Sequence, residues 1–100
     1  MSPFEAIAEP NRRRLLELLR SGERAAGDLV EAMGLSQPGV SKHLKQLREA
    51  GLVSVRAEGQ RRLYRLEAGE FAGLDSWLQQ FRQFWTDRLD ALDDHLDKEQ

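Results

Sequence analysis

The chain of 100 residues contains no cysteine, two histidines, three prolines and one tyrosine. Without cysteine there is no disulfide framework and no thiolate to act as nucleophile or metal ligand. No run reaches the roughly 18 apolar residues that a membrane-spanning helix needs. The opening MSPFEAIAEPNRRR has no apolar signal core, so a cytoplasmic protein is expected. The histidines sit in unrelated segments, there is no nucleophile–base pair at useful spacing, and no glycine-rich loop could cradle a phosphate. An enzyme is therefore not expected, nor is a cofactor. Repeats and low-complexity tracts are also missing, and the length suits one domain, residues 1–100.

What is present is a folded composition, 40% hydrophobic and 32% charged, with the charge unevenly divided. Residues 1–66 hold 12 Lys/Arg against 8 Asp/Glu, while residues 67–100 hold 3 against 9. The net charge of −2 hides this split. Within 36–66, seven basic residues (Lys42, Lys45, Arg48, Arg56, Arg61, Arg62 and Arg65) face only Glu49 and Glu58. Such a local excess is either a solvated basic surface or the footprint of a polyanion site.

Apolar spacing organises the chain. Phe4, Ile7 and Ala8 suggest a short first helix. A second starts at Pro10, a residue favoured in the first helical turn, and carries Leu15, Leu16, Leu18 and Leu19 as its buried stripe. A third covers about 25–33, with Leu29, Val30 and Met33 inward and Gly34 at its end. Ser36 is a suitable N-cap for a fourth, with Pro38 in its first turn and Val40, Leu44 and Leu47 on one face. The last two helices, joined by a tight turn, form a helix-turn-helix. The period then changes to two: LVSVRA and RRLYRL flank EGQ, which predicts a β-hairpin with a basic tip and return strand. From Glu70 the pattern is helical again, in a continuous or a kinked helix, through Phe71, Leu74, Leu78, Phe81, Trp85, Leu89, Leu92 and Leu96, with Trp77 and Phe84 widening the stripe. The expected fold class is mainly α with a small β-hairpin wing.

The fourth helix carries the strongest chemical signal. A helix of about 10–12 Å diameter fits the DNA major groove, and the second helix of such a unit commonly lies there. Pro38 and Ser41 are small enough for close backbone approach. Ser36, Gln37 and Ser41 can exchange hydrogen bonds with bases, and Lys42 and Lys45 reach bases or phosphates. Residues 36–48 contain no acid. His43, beside Leu44, either braces the helix from its buried edge or touches a base. Arg61 and Arg62 suit a narrow minor groove, unless they only solubilise the hairpin.

Five of the seven aromatic residues lie at or beyond Phe71, more than a fold this small readily hides. A homodimer is expected, with residues 70–98 as dimerisation helix and Phe4, Ile7, Phe71, Leu74, Trp77, Leu78, Phe81 and Trp85 at the interface. Two-fold symmetry would set two recognition helices about 34–36 Å apart on a pseudo-palindrome. Asp93 and His95 are half of a metal site at best, since a closed zinc site needs four ligands, and a solvated acidic helix end is the simpler reading. No metal site is expected.

The run AIAEPNRRRLLELL, then LSQPGVSKHLKQLREAGLV, then GQRRLYRL, resembles the ArsR/SmtB-type winged helix-turn-helix repressors over residues 4 to about 66. The resemblance implies a dimeric repressor of transcription, with Gln37, Ser41, Lys42, Arg61 and Arg62 facing double-stranded DNA. It does not extend to metal sensing: AAGDLVEAM lacks the cysteine pair of the metal-sensing members, and a second Asp/His pair is missing from the last helix. The competing expectations are a winged helix that docks a protein partner, or a repressor answering to an unidentified effector.

Overall fold

The computed structural model describes the backbone of residues 1–98 and side chains through Asp93. The elements run α1 (Pro3–Ala8), α2 (Pro10–Leu19), β1 (Arg24–Ala25), α3 (Ala26–Met33), α4 (Gln37–Glu49), β2 (Val53–Glu58), β3 (Arg61–Leu66), α5 (Ala68–Gln79) and α6 (Arg82–Lys98).

A helix as short as α1 satisfies few of its own carbonyls, because the last four lack an intrahelical partner. Two arginines of α2 supply the donors. Arg12 Nε donates to Ala6 O at 2.8 Å and its Nη2 to Glu5 O at 3.0 Å. Arg13 Nη1 donates to Ile7 O at 2.9 Å and Ala8 O at 3.2 Å. At the other end Ser2 Oγ accepts from Glu5 N. The Glu9 carboxylate caps α2 by accepting from Arg12 N at 2.8 Å, just ahead of Pro10.

Leu15, Leu19, Leu29, Val40, Leu44, Leu47, Leu52 and Val53 are fully buried and form one core beneath α2, α3 and α4. Each large aliphatic side chain removed from water contributes about 1.5–3 kcal/mol before entropy is counted. Gly51 ends α4 at φ +79°, where its N–H reaches Arg48 O and Leu52 N–H reaches Leu47 O, both at 3.0 Å. That pairing closes the helix on its own last carbonyls and turns the chain straight into β2. A Cβ at Gly51 would also come within 2.7 Å of Glu70 Cγ.

The expected hairpin is present, with Val53 opposite Leu66 and Glu58 opposite Arg61 around a turn that holds Gly59 at φ +61°. It is part of a three-stranded antiparallel sheet ordered β1-β3-β2. The additional strand, two residues long, pairs Arg24 with Tyr64 and Ala25 with Leu63, and so roots the wing beside the start of α3.

The apolar period from residue 70 onward fits a continuous or a kinked helix alike, and the structure shows two helices, α5 and α6. The break falls at Gln80–Phe81, where two N–H groups fall back onto carbonyls three residues earlier, Gln80 to Trp77 and Phe81 to Leu78. Among the described residues, no helix is long and apolar enough to cross a membrane.

Candidate nucleic-acid interface

Helical phase decides what α4 shows. Gln37, Ser41, Lys45 and Arg48 follow one another at spacings of four, four and three, and so lie on one stripe. Val40, Leu44 and Leu47 lie on another and are buried. Ser36 caps the helix by accepting from Gly39 N at 3.2 Å. Gln37 and Pro38 follow as the first two helical residues, and the missing N–H of Pro38 falls among the donors that would be unpaired anyway. Ser36, Gln37, Pro38, Ser41, Lys42 and Lys45 are all exposed.

Strand alternation then divides the basic residues of the wing. Directly opposite residues of an antiparallel pair share a face, and neighbours along a strand do not. Ser54, Arg56 and Glu58 therefore share a face with Arg65, Leu63 and Arg61. Arg62 projects from the other face, with Tyr64. On the first face two of the three cations, Arg56 and Arg65, are engaged: the Arg56 fork holds both Glu23 oxygens at 3.0 and 2.8 Å and reaches Glu58 at 3.1 Å. Arg65 Nε donates to Ser54 Oγ and Glu67 Oε1, and Ser54 donates to the same carboxylate. These bonds hold the Glu23 carboxyl below its ordinary range, chiefly through the hydrogen bond from Arg56. The Glu67 carboxyl is lowered in the same way, first by Ser54 and then by Arg65.

On the second face Arg62 closes a groove of about 340 Å³ against α4, lined by Ala26, Gln37, Ser41, Lys45, Arg48, Arg62 and Tyr64. Among the described residues no carboxylate lines it. Arg61 does not enter this groove. It borders a neighbouring hollow at the start of α3, where Arg62, Gln37 and Asp28 also contribute. The structure thus brings together Gln37, Ser41, Lys45 and Arg62, adds Arg48, which by sequence is only one member of a basic cluster, and sets Lys42 and Arg61 to the side. His43 is 18% exposed and faces Glu9, with Nδ1 3.8 Å from Oε2. By helical phase it stands on the side of α4 away from the Gln37–Ser41–Lys45–Arg48 stripe.

The residues expected at a partner face divide as well. Leu74 is 7% exposed and lies in the chain's own core, so it offers nothing to a partner. Helix α5 turns that side onto the body of the domain. Ile7 and Phe71 are half-buried and pack on the same core. Phe4, Trp77, Leu78, Phe81 and Trp85 remain exposed, joined by Phe84 at 60% and Leu89 at 58%. Phe4 meets the Trp77 ring edge-on at 5.4 Å, and Trp77 meets Phe81 at 4.9 Å. Among the described residues no group of three or more His, Cys, Asp or Glu could hold a metal. Asp93 is exposed near the end of α6, and the side chain of His95 lies outside the described residues.

Comparison with known proteins gives a consistent picture. A sequence profile described as bacterial regulatory protein, arsR family, matches residues 9–55. The HTH-type transcriptional regulator Rv2034 of Mycobacterium tuberculosis is 38% identical over 96 residues, which span 96% of this chain and 87% of that protein. The transcriptional repressor SdpR of Bacillus subtilis is 36% identical over 78 residues, 78% of this chain and 87% of the repressor. A crystal structure described as a possible transcriptional regulator for arsenical resistance superposes with a TM-score of 0.74 at 42% identity, covering 92% of this chain and 93% of its own.

Proposed function

The chain belongs to the ArsR family of bacterial transcriptional regulators, DNA-binding proteins and not enzymes, and from that premise we propose that it represses transcription as a homodimer on a pseudo-palindromic operator. One observation carries the reading: a polar and basic stripe of α4 and one wing arginine line a single groove that, among the described residues, no carboxylate enters. In a polyanion's field that groove is attractive along its whole length.

Helix α4 enters the major groove, where Gln37 and Ser41 exchange hydrogen bonds with base edges and Lys42, Lys45 and Arg48 neutralise phosphates. Ser36 and Pro38 let the first turn of the helix come close to the duplex. Arg62 reaches from the wing to the backbone or the adjacent minor groove, with Arg61 at the tip. The partner face is built from Phe4 and the exposed aromatics of α5 and α6. Ile7 and Phe71 support it from below. Dimerisation through this face sets the two α4 helices one duplex turn apart, about 34–36 Å. The acid-rich C-terminal segment then stays on the side away from DNA. Arsenical sensing is no part of the proposal, because the chain has no thiolate to offer.

Fluorescence anisotropy tests this directly. The protein is titrated onto duplex DNA from upstream of its own gene and onto a scrambled duplex of equal length, at several salt concentrations. Selective binding that weakens steeply with salt is expected. Equal, weak binding to both duplexes would defeat the proposal.

A further inference from the structure

Arg12 is 9% exposed and lies outside the groove, yet it touches the helix that forms it. Two of its arms hold the Glu5 and Ala6 carbonyls at the end of α1. The third, Nη1, donates to Gln46 Oε1 on α4 at 2.9 Å. By helical phase, Gln46 and His43 stand on the opposite side of α4 from the Gln37–Ser41–Lys45–Arg48 stripe. One turn earlier on each helix, Glu9 faces His43. The first turn of α2 thus presents two residues, three apart, to two residues three apart on the back of α4.

We propose that Arg12 is a positioning residue for DNA recognition, one guanidinium that ties the seating of α1 to the orientation of α4. Capping α1 alone would need only two of its arms, and the third has no role in that cap. The other end of α1 carries Phe4 against Trp77 of α5, within the exposed aromatic face. The route from that face to the DNA-facing stripe therefore runs Trp77, Phe4, α1, Arg12, Gln46, α4. A guanidinium suits this junction, since its rigid fork fixes direction as well as distance, which an ammonium does not. The inference rests on the proposed DNA-binding function and adds to it that selectivity depends on where α1 sits.

The test uses the full chain and a duplex that the wild-type protein selects from random-sequence DNA, with a scrambled duplex as reference. Gln46→Met removes the anchor on α4 and leaves both α1 carbonyls capped. Its ratio of selected to scrambled affinity is expected to fall about tenfold, the scale of one charge-assisted hydrogen bond, while binding to scrambled DNA stays close to wild type and circular dichroism shows a folded chain. Gln46→Glu keeps an acceptor for Arg12 and should retain the ratio. Phe4→Ala should lower the ratio in the wild-type background and add nothing in the Gln46→Met background, at concentrations where sedimentation gives one oligomer for all four proteins. Full selectivity in Gln46→Met, or a Phe4→Ala loss that simply adds, overturns the coupling while leaving DNA recognition standing. A wild-type protein that selects no duplex overturns the DNA-binding proposal itself.

Discussion

Alternation along the wing predicts that its arginines are not equivalent on DNA. Arg62 projects into the groove beside α4 with no acid bonded to it among the described residues, whereas Arg56 is held by Glu23 and Glu58 on the other face. Removing one cation from a phosphate lowers the slope of log K against log salt by about 0.9, and a dimer presents each residue twice. Arg62→Ala should therefore reduce the slope by about 1.8. Between 50 and 200 mM salt that amounts to a change of roughly tenfold in the gap between variant and wild-type affinities. Arg56→Ala should leave the slope within about half a unit, since the carboxylates already satisfy that cation. Arg61→Ala should fall between the two. Anisotropy titrations at four or five salt concentrations read all three slopes on one duplex. If Arg56→Ala lowered the slope as far as Arg62→Ala, the assignment of faces would be wrong. If none of the three moved it, the wing would not touch DNA.

Other consequences can be measured separately. Gln37→Ala and Ser41→Ala should each weaken operator binding by about 1–3 kcal/mol and leave scrambled-DNA binding nearly intact. Equal losses on both DNAs would remove them from base reading. Phe81→Asp should yield monomers in sedimentation. Leu74→Ala should instead lower stability by about 2–5 kcal/mol in chemical denaturation with the dimer retained at native conditions. A dimer that survives Phe81→Asp places the interface elsewhere. The Glu23–Arg56 fork gives a pH signature. Because the Glu23 carboxyl is lowered from 4.5, its contribution is present above that value and disappears as pH falls through the folded-state value. The difference in Tm between wild type and Glu23→Gln should accordingly shrink on acidification, and a difference that grows would contradict the sign.

Much of the fold is legible in residue spacing, and the exceptions have physical reasons. Leu15, Leu19, Leu29, Val40, Leu44 and Leu47 announce their burial by helical period, and Gly34 and Gly51 announce helix ends by needing positive φ. Strand β1 is two residues long and is paired by Tyr64 and Leu63, some 40 positions on, so no local pattern reveals it. The break at Gln80–Phe81 has no proline or glycine to mark it. Arg12 reads as one more surface cation in a run of three, although its phase gives it away: 12, 15, 16 and 19 form one buried stripe. The seven basic residues of 36–66 look equivalent in a count. The side-chain hydrogen bonds show that Arg56 and Arg65 have acidic partners, and strand register sets Arg62 on the other face, where among the described residues it has none.

The closing bonds at Gly51 leave no slack between α4 and β2: the last helical residue is Glu49, and Val53 is already paired in the sheet. On the proposed function, α4 and the wing then act as a caliper, since neither can shift by a residue without breaking the cap or the register. A caliper cannot adapt to its object. Differences in groove width or twist between binding sites must then be absorbed by the duplex, at an energy that depends on how easily its base steps deform. Base pairs that no side chain touches would then still be selected, for their pliability.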